Sequence, residues 1–170
     1  MNSPQLCLRP TAPADLDFVL ALEARPDYGA FIYRWPRAEH LAALDDPDYR
    51  HLLLCDAEGV ALGFALLAGV TTGGGSVELK RIALDSPGAG IGRAVLPLLI
   101  DFALEDLGAQ RFWLDVFADN QRARSAYRRA GFIEESGQPN TMLRDGQEVP
   151  VIVMAVRRDA QSAAQQVPAR

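Results

Sequence analysis

Residues 77–132 decide how this chain folds. VELKRIAL (77–84) reads as a β-strand, SPGAGIG (86–92) as a glycine-rich turn, and IGRAVLPLLIDFALEDLG (91–108) as an apolar helix. RFWLDV (111–116) reads as a second strand, followed by Asn120 and a short helix that ends in AYRRAGF (126–132). A glycine-rich turn that opens a helix exposes several backbone N–H groups at the positive end of the helix dipole. That arrangement suits a phosphate or pyrophosphate.

Working outward, LCLRP (6–10) reads as a first strand ended by Pro10. Thr11 is the expected N-cap of a helix running to about Ala24, with Leu16, Val19, Leu20 and Ala24 at helical spacing. Residues 26–36 mix aromatics with Pro and Gly, and a second helix is expected over 38–44. HLLLCD (51–56) and VALGFALLAGV (60–70), joined by AEG, form a hairpin whose nearly continuous apolar runs predict strands covered on both faces. After Phe132 a polar loop is expected, then a last strand over 149–156. No internal repeat is visible, so residues 1–157 read as one domain and 158–170 as a flexible C-terminal tail.

At 170 residues the chain is long enough for one buried core, and 49% hydrophobic with 23% charged residues is ordinary globular composition. The 17 basic and 22 acidic residues give a net charge of −5. That speaks against nucleic acid as a partner, because phosphate neutralisation needs a basic surface. An acidic surface is compatible with a cationic amine, although solubility alone is the commoner reason for it. No signal-peptide pattern or membrane-length apolar run is present, which points to a cytoplasmic protein. Cys7 and Cys55 read as reduced, structural core residues. His40 and His51 are far apart in sequence and lack ligand spacing, so no metal is expected.

The glycines of the 86–92 turn alternate, which permits positive φ and close approach of a ligand to the backbone. The amides of Ala89, Gly90, Ile91, Gly92 and Arg93 then converge on one anion. A dinucleotide fingerprint is disfavoured, since Arg93 stands where the last Gly of G-x-G-x-x-G belongs and no βαβ unit opens the chain. Pro97 inside the helix predicts a bend.

The order strand, glycine turn, helix, strand, Asn and Tyr-bearing helix resembles the acyl-CoA-binding core of the GNAT N-acetyltransferase superfamily. NQRARSAYRRAGF (120–132) fits the pattern N-x-x-A-x-x-x-Y-x-x-x-G-F, and Gly90 and Gly92 fit the end of Q/R-x-x-G-x-G/A; Pro87 departs from that pattern. The resemblance implies an α/β fold with a mixed, mostly antiparallel central sheet and helices on both faces. It implies acetyl-CoA as co-substrate, held by the 89–93 amides, by the main chain of Ile82, Ala83 and Leu84, and by Asn120 and Ala123. Arg124 and Arg129 are further candidates for the CoA phosphates.

By the same resemblance Tyr127 serves the departing thiolate; the alternative is a core tyrosine. Glu78 is the candidate general base for an amine acceptor, and a structural ion pair with Lys80 or Arg81 is its alternative. Strand alternation puts Glu78, Lys80, Ile82 and Leu84 on one face. Tyr28, Phe31, Tyr33 and Trp35 lie where the family varies its acceptor site. The end of the chain resembles the branch of ribosomal-protein N-terminal acetyltransferases. A homodimer is compatible with this reading, and the acceptor amine stays open. The rival readings are a non-catalytic acyl-CoA sensor and a nucleotide-binding regulatory module.

Overall fold

The computed structural model describes residues 5–28, 33–88, 90–137 and 140–159. Eight strands form one sheet: β1 (Cys7–Pro10), β2 (Arg50–Cys55), β3 (Ala61–Ala68), β4 (Ser76–Leu84), β5 (Arg111–Phe117), β6 (Ile133–Glu134), β7 (Asn140–Arg144) and β8 (Gln147–Arg157). The order is β1-β2-β3-β4-β5-β8-β6, with β7 also paired to β8. Every pair is antiparallel except β4 with β5. Four helices cover it: α1 (Leu16–Glu23), α2 (Arg37–Asp45), α3 (Ile91–Asp101) and α4 (Gln121–Ala130).

Two apolar clusters occupy the two faces. Val77, Leu79, Phe112, Leu114 and Val116 pack with Val95, Leu99 and Ile100 of α3, and Ala123, Ala126 and Tyr127 of α4 lean on that group. On the other face Leu53, Phe64 and Ala83 pack with Leu16, Val19 and Leu22 of α1. Strands β2 and β3 are therefore buried on both sides, as their continuous apolar runs require. No helix among the described residues is long and apolar enough to cross a membrane.

Several expectations are corrected. Thr11 does not cap a helix: it is buried, and its hydroxyl lies 2.9 Å from His51 Nδ1. A 3₁₀ turn at Pro13–Asp15 precedes α1 instead, closed by Asp15 accepting from the Ala12 amide. Helix α3 runs unbroken through Pro97, and its irregularity is a π turn at Phe102–Asp106, where the Leu107 amide reaches the Phe102 carbonyl. The polar loop after Phe132 holds two strands, β6 and β7. Asp145 and Gly146, both at positive φ, make the tight turn from β7 into β8. Cys7 is exposed, not core, while its cross-strand neighbour Cys55 is buried.

Candidate active site

The site begins with a failure of pairing. Strands β4 and β5 are matched only at Ser76 with Arg111, Val77 with Phe112 and Glu78 with Trp113. Beyond Glu78, β4 stays with β3 while β5 stays with β8, so the two central strands part and leave an open edge. Along that edge the main chain alternates in direction. The Asp85 amide donates to Leu62 across in β3, and the Ala83 carbonyl sits so close to Gly63 that a Cβ there would lie 2.4 Å from it. Leu84, and Ile82 two residues before it, therefore turn their main chain toward the gap. Of the expected trio, Ala83 faces the wrong way: its main chain belongs to the β3 ladder and its side chain is buried with α1.

At the end of β4 the chain enters the glycine turn. Gly88 and Gly90 have φ of 103° and 80°, which only glycine adopts at low cost. Gly90 is the N-cap of α3, leaving the first amides of the helix without intrahelical partners. The Arg93 amide is the exception among those expected to face an anion, since it donates to the Gly90 carbonyl at 3.1 Å. Ala89 lies outside the described residues.

Facing the turn is α4. Asn120 caps this helix, its side-chain oxygen accepting from the Ala123 amide at 3.2 Å, and Gly131 ends it in the left-handed conformation. Small Ala123, Ala126 and Ala130 let α4 approach α3 and the strand edge. The result is a cavity of about 680 Å3 lined by Ile82, Leu84, Gly90, Gly92, Arg93, Asn120, Ala123 and Tyr127, among others. Arg93, Arg122 and Arg129 line it against one carboxylate, Asp27. Arg124, a candidate for phosphate binding, is directed elsewhere: it pairs with Glu134 at 2.9 Å and donates to the Ala118 carbonyl. Ile91 is a core residue whose side chain packs behind the turn.

Tyr127 is half-buried in this cavity and stacks edge-on against Phe132 at 5.7 Å. Burial, assisted by the neighbouring Tyr28, pushes its phenol up to about 12. It is therefore a neutral hydrogen-bond donor at physiological pH.

Glu78 is not in that cavity. The pairing of β3 with β4 slips between Leu66 and Leu67, so that Lys80 is an extra, unmatched residue. Such a bulge reverses the alternation. Val77 and Leu79 point to the α3 face and so do Ile82 and Leu84, whereas Glu78, Arg81 and Ala83 share the α1 face. Glu78 thus lies across the gap from Tyr127, with Trp113 and Asp115 on its own side. Lys80 Nζ stands 3.7 Å from it, so the structural ion pair is formed as well. Burial raises the Glu78 carboxyl, Lys80 opposes this, and Asp115 adds to it. Asp115, which sequence reasoning passed over, is raised by burial too, and its Oδ1 is buried without a hydrogen-bond partner.

His40 and His51 are brought together by the fold. Their rings meet at 3.0 Å (Nδ1 to Nε2), and His40 Nε2 lies 3.1 Å from Glu23 Oε2. Glu23 in turn accepts from the Trp35 amide and faces Arg81 at 3.8 Å. The Arg81 guanidinium stacks on Trp35 at 4.6 Å, and Tyr33 is exposed. Of the aromatic segment, Phe31 lies outside the described residues. A second cavity of about 700 Å3 lies between α2, the end of β2 and the far end of α3, and it holds none of the expected site residues.

A model of the acetyltransferase (GNAT) family matches residues 17–132. The chain belongs to that family. It is accordingly an acetyl-CoA-dependent N-acetyltransferase. Among solved structures it is similar to spermidine N-acetyltransferase from Vibrio cholerae in complex with CoA and spermine, at 22% identity and a TM-score of 0.79, over 91% of this chain and 96% of that one. A dodecameric structure of the Vibrio cholerae enzyme in an intermediate state matches at 21% identity and a TM-score of 0.78, over 95% and 99%. A chimera of that enzyme matches at 22% identity and a TM-score of 0.81, over 96% and 99%. At this identity the likeness is one of fold. The resemblance to the ribosomal-protein branch finds no support in these neighbours.

Proposed function

We propose that this GNAT acetyltransferase places acetyl-CoA on the α3–α4 face of the sheet and its amine acceptor on the other, the two meeting in the gap between β4 and β5. The observation that carries this reading is the division of groups by face: anion-binding amides, Asn120 and Tyr127 on one side, and Glu78 with Asp115 on the other. Acetyl-CoA supplies an activated acyl group as a thioester. The free amides of Ile91 and Gly92, with Arg93, Arg122 and Arg129, suit its phosphates. The open edge at Ile82 and Leu84 suits an amide-bearing arm laid along it as an extra strand.

The reaction asks the protein for orientation and for two proton positions. Attack of the amine nitrogen on the acyl carbon forms the C–N bond as the C–S bond breaks, and the nitrogen must lose a proton. Glu78, raised by burial, takes that proton directly or through water. Tyr127 donates a hydrogen bond to the leaving sulfur. The burial that raises the phenol also raises a thiolate placed beside it, so the two stay matched as partners. Proximity is the main rate contribution.

For the acceptor, the paired carboxylates favour a small cationic primary amine over an uncharged one. The polyamine named for the similar solved structures is the first member of that class to try. A thiol-release assay over spermidine, a monoamine and an N-terminal peptide tests this. Faster turnover of spermidine than of the peptide is expected, and the reverse order would favour a protein N-terminus. In the same assay Tyr127→Phe should lower kcat by about a hundredfold while acetyl-CoA still binds. Retained turnover in that variant would remove Tyr127 from the mechanism, and acetyl-CoA binding by the wild type with no turnover of any amine would leave a sensor as the better reading.

A further inference from the structure

Tyr28 closes the edge of β4 that the cofactor is expected to use. Its hydroxyl donates to the Leu84 carbonyl at 2.6 Å and accepts from the Leu84 amide at 2.8 Å. One phenol thus satisfies both main-chain groups of the last residue of the strand, as a residue of an added strand would with its two flanking peptide units. Tyr28 also lines the same cavity as Tyr127 and the glycine turn. Its ring rests partly on the α1-side cluster, with the Arg25 guanidinium 5.8 Å above it. Arg25 is itself tied to Asp27 at 2.9 Å and to Asp85 at 3.3 Å, the residue that follows Leu84. Tyr28 therefore joins two things: the end of α1 and the strand edge.

We propose that Tyr28 is a positioning residue that stands in for the cofactor arm, holding the Leu84 edge and releasing it when acetyl-CoA binds. A pantetheine amide that pairs with Leu84 takes the N–H or the C=O, and Tyr28 holds both, so the two compete for one site. The affinity of the protein for acetyl-CoA is reduced by the fraction of molecules in which Tyr28 is seated. Release frees Tyr28 from the strand edge that it shares with the cavity. This inference rests on acetyl-CoA being the co-substrate.

The test is Tyr28→Phe, which keeps the ring and removes both hydrogen bonds. Calorimetric titration should show acetyl-CoA binding about five- to tenfold more tightly than to the wild type, since two modest hydrogen bonds no longer oppose it. Amide hydrogen exchange at Leu84 should be faster in the variant without ligand, and equally slow in both proteins with acetyl-CoA bound. Weaker or unchanged binding, or unchanged exchange at Leu84, overturns the proposal. The wild type provides a second reading that no folding defect can obscure: the NMR signals of the Tyr28 ring must shift when acetyl-CoA is added. Binding without that shift sinks this inference alone, whereas absence of binding to the wild type sinks the cofactor reading beneath it.

Discussion

In the proposed reaction Glu78 and Asp115 set the pH at which the acceptor side works. Both carboxyls are raised by burial, and Asp115 adds to the rise at Glu78 because two like charges on one face resist joint ionisation. A base must be deprotonated to act, so kcat/KM should climb with pH through a limb above the ordinary carboxylate range. Asp115→Asn removes the like charge, so that limb should move to lower pH; a pH–rate profile that stays in place would separate the two groups. Tyr127 and Asn120 were legible in the sequence, because the alanine spacing and terminal Gly131 of α4 fix which side faces the cavity. The face of Glu78 was not legible, since the bulge at Lys80 depends on the register with β3 rather than on any residue of β4. Asp115 looked like one more polar position of an alternating strand.

At the scale of elements, the buried row Thr11, His51, His40 and Glu23 fastens α1 and α2 to the sheet. Glu23 and His40 are almost wholly buried, and each supplies the other with a hydrogen-bond partner. His40→Ala leaves a buried carboxylate short of a partner and should cost about 3 kcal/mol in chemical denaturation. Burial lowers His51 to about 4. Its folded value lies below its unfolded one, so the unfolded chain binds more protons between the two. Stability should therefore fall as pH drops from about 6.5 toward 4, and His51→Gln should remove part of that slope in thermal melts. Sequence separation hid this row, because contacts across a fold leave no local periodicity. The hairpin of β7 and β8 was missed, because the turn signal Asp145-Gly146 lies in polar surroundings that read as a loop. A bend was expected at Pro97, whereas the hydrogen-bond irregularity falls on 102–106.

For the whole molecule, one parallel pair in an otherwise antiparallel sheet creates the site. The pair β4–β5 is joined by α3, and its divergence after Glu78 opens a passage between the two faces. The β2–β3 hairpin and its two covered faces followed from hydrophobic patterning, which responds to burial, while the mixed sheet followed from the family resemblance. The passage did not, because it comes from hydrogen bonds that are missing. The account stands on acetyl-CoA occupying the cavity between the glycine turn and α4. Calorimetric titration of the wild-type protein with acetyl-CoA, with NAD and ATP as controls, tests it most directly. Selective binding of acetyl-CoA at one site per chain is the predicted result, and folded protein that binds neither it nor CoA would contradict the account.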